Sequence, residues 1–311
     1  MEPKHSVIVF TYNQQDTIKR ALESLLCQKE LIYEIIIADD CSTDNNWSLI
    51  TEYKNKYPEL IKSYRHSKNQ GIFGNIESTW DKTSGNIIWY LAGDDIYCDG
   101  LFCAANKLIK KHNIDIENEA FTLYFDYKSI STKGKERIFR NNLVEKYNPI
   151  SLKIRQLICN RTTGISKKVL NQFYPVRKDI GIMADGLLDI QTQIFSEKSY
   201  YTKFIGSIYY TNIGISSITK KEDSNNSYIK SLDQMKLEVK QLSESDIVWI
   251  EYLKTQLLFD LNKSYKLYLK YLKLYFKILI PFYGINFIYR ETKLIVKASI
   301  KIKLLYLKKM F

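Results

Sequence analysis

Two short apolar runs in this chain each stop at a pair of aspartates: Ile35-Ile36-Ile37-Ala38 at Asp39-Asp40, and Ile87-Ile88-Trp89-Tyr90-Leu91-Ala92-Gly93 at Asp94-Asp95. β-branched and aromatic residues in unbroken runs suit strands covered on both faces, as in a parallel sheet. In open α/β sheets, ligands bind beyond the carboxyl ends of such strands. The two acidic strand ends therefore predict one crevice that holds a cation and a polyhydroxylated or phosphorylated ligand.

The first hundred residues alternate between strand and helix signals. Val7 to Phe10 reads as a strand, and Asp16 to Cys27 as a helix with Ile18, Ala21, Leu22, Leu25 and Leu26 on one face. Tyr33 to Ala38 is the second strand, and Ser42, Thr43 and Asp44 supply capping residues for a helix from Asn45 to Tyr57, ended by Pro58. A third strand is expected over Leu60 to Arg65, a helix over Phe73 to Lys82, and a turn over Thr83 to Asn86 before the fourth strand. This order predicts a parallel sheet with right-handed crossovers. Further on, the pattern predicts helices over Leu101 to His112, Leu152 to Cys159 and Gly186 to Ser196, and strands over Phe121 to Tyr127 and Phe204 to Thr211. Ser131 to Glu136, with Gly134, is expected to turn between strands. The polar stretch Lys220 to Ser227 is expected to be an exposed linker.

A chain of 311 residues with 45% apolar and 14% aromatic content has enough to bury one sizeable core and a second small unit. Its five cysteines, Cys27, Cys41, Cys98, Cys103 and Cys159, show neither disulfide nor zinc spacing, so a reduced, cytosolic compartment is expected. Val7 to Phe10 is far too short for a signal-peptide core. His5, His66 and His112 lie far apart with no triad pattern, and each is expected on the surface or in packing. The net charge of +12 sits in the tail: residues 263–311 hold twelve Lys or Arg against Glu291 alone, leaving a body with 34 basic and 33 acidic groups.

Several ordered motifs carry a family resemblance. They are Val7-Ile8-Val9-Phe10-Thr11-Tyr12-Asn13, then Ala21 to Gln28, Glu34 to Asp40 with Cys41-Ser42-Thr43-Asp44, Asn69-Gln70-Gly71 with Asn75, and Ala92-Gly93-Asp94-Asp95. Together they resemble the opening of family 2 glycosyltransferases, and the likeness continues more loosely to about residue 220. The resemblance implies an α/β, GT-A fold: a Rossmann-like, mostly parallel sheet flanked by helices, here followed by a C-terminal basic helical extension. Residues 1–220 would form the catalytic domain, with a nucleotide-sugar half over about 1–100 and an acceptor half over about 101–220. Residues 221–311 would hold a linker and the basic helices.

The resemblance also implies roles. Thr11, Tyr12 and Asn13 would line the nucleotide pocket, with Asn69, Asn75 and Gly93, and Asp39 or Asp40 would accept hydrogen bonds from base or ribose. Cys41 stands where the family commonly has Gly. Asp40 to Asp44 also reads as a helix-capping turn, and the two readings are compatible. Asp94, supported by Asp95, would hold Mg²⁺ or Mn²⁺ against the donor diphosphate; the first Asp of the family's element is replaced by Ala92. In Met183-Ala184-Asp185-Gly186, Asp185 matches the family's general base. Asn160 to Gly164 is open between an acceptor or phosphate contact and a polar loop before a strand. No role is carried over to Tyr209 to Gly214, which lacks the family's basic residue there.

In the tail, Lys263, Lys266, Lys270, Lys273 and Lys277 fall on one helical stripe. The longest strongly apolar uncharged run, Ile278 to Tyr289, has twelve residues, short of the roughly 20 a spanning helix needs. These helices are expected to lie on an anionic membrane surface rather than cross it. Packing on the catalytic domain or on a twin subunit, in a possible homodimer, is the alternative. With 38 Lys and 8 Arg, nucleic acid is not an expected partner. The expected function is inverting sugar transfer from a nucleotide-sugar donor, a UDP-sugar first, to a saccharide or lipid-linked acceptor. The setting would be bacterial surface polysaccharide assembly at the inner face of the cytoplasmic membrane. A catalytically inactive GT-A domain serving as a membrane-tethered assembly partner, and a nucleotidyltransferase, are the alternatives.

Overall fold

The computed structural model describes residues 2–146, 148, 150, 160–181, 185–211, 220–240 and 242–274, apart from 263, 265, 268 and 272. The chain divides into two compact units, Met1–Thr219 and Lys220–Phe311.

The first unit is built on one sheet. β1 (His5–Thr11), β2 (Ile32–Asp39), β3 (Ile61–Arg65) and β4 (Ile87–Ala92) run parallel in the order β3-β2-β1-β4. They are joined by helices α1 (Ile18–Leu26), α2 (Asn46–Lys56) and α3 (Gly71–Glu77). Helix α1 buries Ile18, Ala21, Leu22 and Leu25 against the strands, and Ile35, Ile36 and Ile37 of β2 have no exposed surface. The unbroken apolar run thus reports a strand covered on both faces.

Beyond β4 the sheet turns mixed. β5 (Ile96–Tyr97) precedes α4 (Leu101–His112), and β6 (Phe121–Ser131) forms a hairpin with β7 (Glu136–Phe139). β8 (Thr163–Ser166) lies antiparallel between β4 and β6, short α5 (Lys167–Leu170) and α6 (Asp185–Phe195) follow, and β9 (Lys198–Thr211) runs parallel to β6. β4, β6 and β9 consequently point the same way as β1 and β2, and their carboxyl ends share one rim of the sheet. Trp89 explains a glycine in β8: a Cβ on Gly164 would come within 2.6 Å of the indole ring.

Several expectations are corrected. β5 and β8, two and four residues long, are too short to show a period, and neighbouring strands rather than local preference create them. The helix expected over Phe73 to Lys82 is α3 plus a separate 3₁₀ turn, Trp80–Lys82. Lys220 to Ser227 is not a linker, because Lys221 begins helix α7 (Lys221–Glu238). Its Glu222 and Asp223 sit in the first turn, where carboxylates complement the helix dipole. The helix expected over Leu152 to Cys159 lies outside the described residues.

In the second unit, α7 and α8 (Glu244–Asn262) are bridged by Lys236–Glu251 at 3.0 Å and by the Lys254–Asp233 pair. Lys270 reaches Glu251 at 3.6 Å, and Tyr271 stacks on Tyr252, so this lysine of the stripe is engaged within this unit. Residues 275–311, which carry the rest of the basic tail, lie outside the described residues. Among the described residues, no helix is long and apolar enough to cross a membrane.

His5 is a packing residue with no exposed surface. Its Nδ1 accepts from Trp89 Nε1 at 3.0 Å, which leaves Nε2 to donate to Asn106 Oδ1 at 2.9 Å. Burial lowers its pKa from 6.5 to about 4. The unfolded chain takes up this proton first, so the stability that His5 contributes is complete above pH 6.5 and is lost as pH falls towards 4. Denaturant titrations from pH 7.5 to 4 should show up to ~3 kcal/mol of loss from this group. His5→Phe should flatten that part of the profile while lowering absolute stability.

Candidate active site

The loops after β1 and β2 are knitted together by side chains. Asp39, fully buried, accepts from Ser42 N at 2.9 Å through Oδ1 and from Asn46 Nδ2 at 2.8 Å through Oδ2. Arg65 Nε lies 3.5 Å from Oδ1, and its Nη2 donates to Ser42 O at 2.6 Å. Asn46 also donates to Thr11 Oγ1 at 3.1 Å. Both Asp39 oxygens thus hold the turn that leads into α2.

Asn13 and Cys41 both have positive φ, 50° and 65°. Asn13 Oδ1 accepts from Thr43 N at 2.8 Å, and Ser42 Oγ accepts from Asn13 N at 2.9 Å. Cys41 keeps the left-handed conformation that a glycine would hold without steric cost. Tyr12 is half-buried and Asn13 exposed beside this turn.

Asp40 is nearly buried, and its Oδ1 accepts from Gln70 N at 2.6 Å. Burial raises its pKa, against the backbone N–H groups of Gln70 and Gly71. Asn69, exposed, accepts from Gly71 N at 3.0 Å. Asn75 donates to Ala38 O at 2.9 Å, and its buried Oδ1 has no partner. Thr11, Asn13, Asp39, Asp40, Asn69 and Asn75 are therefore gathered at adjoining ends of β1 and β2.

The second acidic pair follows β4. Gly93 N donates to Phe10 O at 3.0 Å, and a Cβ on Gly93 would meet Gln14 Oε1 at 2.5 Å and Thr11 Oγ1 at 2.8 Å. The close approach that requires glycine is to these side chains. Burial raises the pKa of half-buried Asp94, opposed by its own backbone N–H, the Gln14 amide, Arg161 and Arg20. Asp95 is pushed up to about 7, first by burial and then by the Asp94 charge. Its Oδ1 accepts from Tyr210 N at 3.1 Å, and Oδ2 lies 3.9 Å from Arg161 Nη1.

Two arginine–tyrosine stacks flank the pair. The Arg20 guanidinium lies 3.8 Å from the Tyr210 ring centre and donates to Asp94 O at 2.8 Å, while Arg161 lies 3.5 Å from the Tyr209 ring centre. The sequence raised Arg161 within a loop of open role and missed Arg20 and the tyrosines. Residues 209–214 hold no basic residue, and the two arginines that stack on Tyr210 and Tyr209 come from α1 and from the turn before β8.

Hard oxygen donors suit Mg²⁺ or Mn²⁺. Asp94 and Asp95 both present such oxygens, Asp95 with Oδ1 on Tyr210 N and Oδ2 3.9 Å from Arg161, Asp94 beside the Gln14 amide. Among the described residues no three His, Cys, Asp or Glu converge, so phosphate and water oxygens would have to complete a shell. The Asp94 charge acting on Asp95 is what a cation would relieve, and the donor set fits one. Asp185 is the first residue of α6, placed by its backbone; residues 182–184 lie outside the described residues.

A mostly parallel α/β sheet with polar clusters at the carboxyl ends of β1, β2 and β4 defines a ligand-binding protein of the strand-end type. Residues 6–172 match the family model for glycosyl transferase family 2, over half of the chain, and the chain belongs to that family. It is 28% identical over 166 residues to the GalNAc(5)-diNAcBac-PP-undecaprenol beta-1,3-glucosyltransferase of Campylobacter jejuni, covering 53% of this chain and 47% of that one. It is 26% identical over 168 residues to the Escherichia coli UDP-Glc:alpha-D-GlcNAc-diphosphoundecaprenol beta-1,3-glucosyltransferase WfgD, covering 54% and 60%. The matched stretch thus spans less than two thirds of these relatives. Among solved structures, S. aureus TarS 1-349 superposes with a TM-score of 0.60 at 17% identity, over 84% of this chain and 73% of that one. The Pyrobaculum calidifontis mannosyltransferase PcManGT gives 0.57 at 12%, over 97% and 87%. These likenesses are of fold, and the fold is GT-A.

Two substitutions test the strand-end turn. Asp39→Ala leaves the buried Ser42 N–H without its acceptor and Arg65 without its carboxylate, and should cost about 3 kcal/mol in urea titrations. Cys41→Gly removes a strained side chain and should raise stability by about 1 kcal/mol.

Proposed function

We propose that this chain transfers a sugar from a nucleotide-sugar donor, a UDP-sugar, to a hydroxyl of a saccharide or lipid-linked acceptor, with inversion, in bacterial surface polysaccharide assembly. The observation that carries the reading is the Asp94–Asp95 pair at the end of β4, set between Arg20 and Arg161. Acidic ligands for a cation beside two guanidinium groups suit a nucleoside diphosphate, which gains negative charge as its bond to the sugar breaks. The names of the relatives support the acceptor: both glucosyltransferases are named for diphosphoundecaprenol-linked saccharides, one with UDP-Glc as donor. TarS has been solved with UDP-GlcNAc and with UDP.

In this reading Thr11, Tyr12 and Asn13 line the nucleotide pocket, with Asn69, Asn75 and Gly93 around it. Asp40 serves base or ribose, and Asp39 holds the turn in shape. Asp94, supported by Asp95, would hold Mg²⁺ or Mn²⁺, which when bound offsets charge on the departing diphosphate. Arg20 and Arg161 give the diphosphate charge-assisted contacts, and their tyrosine stacks limit the guanidinium orientations. Asp185 takes the proton from the acceptor hydroxyl as that oxygen attacks the anomeric carbon from the face opposite the leaving group. Residues 263–311 would hold the protein at the inner face of the membrane, near a lipid-linked acceptor.

Donor binding tests the site. Thermal shift of the full chain with UDP, GDP, dTDP and CMP and their sugar conjugates, with Mn²⁺ or EDTA, should show metal-dependent stabilisation by the uridine compounds, lost in Asp94→Ala. No shift with any nucleotide, in folded protein, would support a catalytically inactive assembly partner. Asp185→Asn should keep donor binding and lower kcat by about 10²–10⁴-fold.

A further inference from the structure

The hairpin of β6 and β7 bears a patch that the transfer reaction does not use. Gly134 N donates to Ser131 O at 2.8 Å in its turn, and every residue from Thr132 to Arg140 is exposed. Four of these nine are basic, Lys133, Lys135, Arg137 and Arg140, against Glu136 alone. Glu136 is itself matched by Lys128 at 3.2 Å, so the four exposed cations stand in excess. Between them lie Ile138, 51% exposed, and Phe139, 38% exposed and stacked on Tyr127 with ring centres 4.7 Å apart. Among the described residues β7 pairs with β6 alone, so its outer edge is open.

The register places this ribbon beside the acidic pair. Tyr210, whose N–H donates to Asp95, is paired with Ile130 of β6, and Ile130 is paired with Glu136 of β7. Two strand spacings, ~10 Å, therefore separate the Asp95 partner from the basic strand. The turn projects from the same rim of the sheet as Asp94.

We infer that the β6–β7 hairpin docks on an anionic bilayer, with Lys133, Lys135, Arg137 and Arg140 at the headgroups and Ile138 entering the interface. Charge complementarity names the partner, and an exposed aliphatic side chain among the cations favours lipid over nucleic acid, which would leave Ile138 in water. Each basic residue near an anionic surface strengthens binding by about fivefold. The contact is separate from the one assigned to residues 263–311 and turns the Asp94 rim towards the bilayer. It stands whether or not the chain transfers sugar.

Hydrogen exchange on the full chain tests it without any variant. Vesicles containing phosphatidylglycerol should slow exchange over residues 132–140, and pure phosphatidylcholine vesicles or inorganic phosphate should not. In sedimentation with the same vesicles, replacing Lys133, Lys135, Arg137 and Arg140 by Ser should weaken partitioning at least about tenfold. Ile138→Ser should weaken it further at high salt, where charge is screened. Unchanged exchange over 132–140 on anionic vesicles, or slowing by duplex DNA but not by vesicles, would overturn the proposal. So would unchanged partitioning of the Ser variant.

Discussion

A carboxylate without exposed surface, that of Asp39, sets the geometry on which the strand-end crevice depends. Buried charge is tolerated when it is paired and its lone pairs are satisfied, and Asp39 meets both conditions with Ser42 N, Asn46 Nδ2 and Arg65. Through Asn46 it reaches Thr11 on β1, and through Arg65 it reaches β3. Three parallel strands thus end in one polar network, and the left-handed residues Asn13 and Cys41 lie in the same turn region. Polar groups bound in this way are already oriented before a ligand arrives, and preorganisation of that kind is what electrostatic catalysis requires.

The second acidic pair is arranged differently. Burial raises the pKa of both Asp94 and Asp95, the Asp94 charge adds to it at Asp95, and beside Asp94's own backbone N–H and Gln14 the opposing groups come from far along the chain: Arg20 on α1, Arg161 ahead of β8, and the Tyr210 backbone on β9. Each arginine lies on a tyrosine from β9, one on either face of that strand, because adjacent residues of a strand point to opposite sides. The site is therefore assembled by the packing of the mixed half of the sheet onto the parallel half.

Legibility in the sequence follows this division. Strands β1 to β4 and helices α1 and α2 were readable because each buries a long apolar pattern close to its own sequence neighbours. Helix α4 was read at its observed limits for the same reason. The Asp94–Asp95 pair and the Asp39–Asp40 pair were visible as abrupt ends to apolar runs; the bonds that tie Asp39 to Ser42, Asn46 and Arg65 were not. β5 was not readable and β8 only as a strand after the Asn160 to Gly164 loop, since short strands take their conformation from neighbours distant in the chain. The polar start of α7 misled for a related reason, as a low local preference was overridden by capping charge and tertiary packing.

The sequence by itself determined the parallel α/β core, the positions of both acidic strand ends and the concentration of positive charge in the tail, because periodicity, capping residues and charge are local properties. Only the tertiary structure decided which aspartate is buried and which stands at the rim, that Arg20 and Arg161 meet at Asp94–Asp95, and that an exposed basic hairpin flanks them. Those relations join residues distant in the chain, such as Asp95 and Tyr210, 115 positions apart. Strand register and packing set them, and no local pattern encodes either.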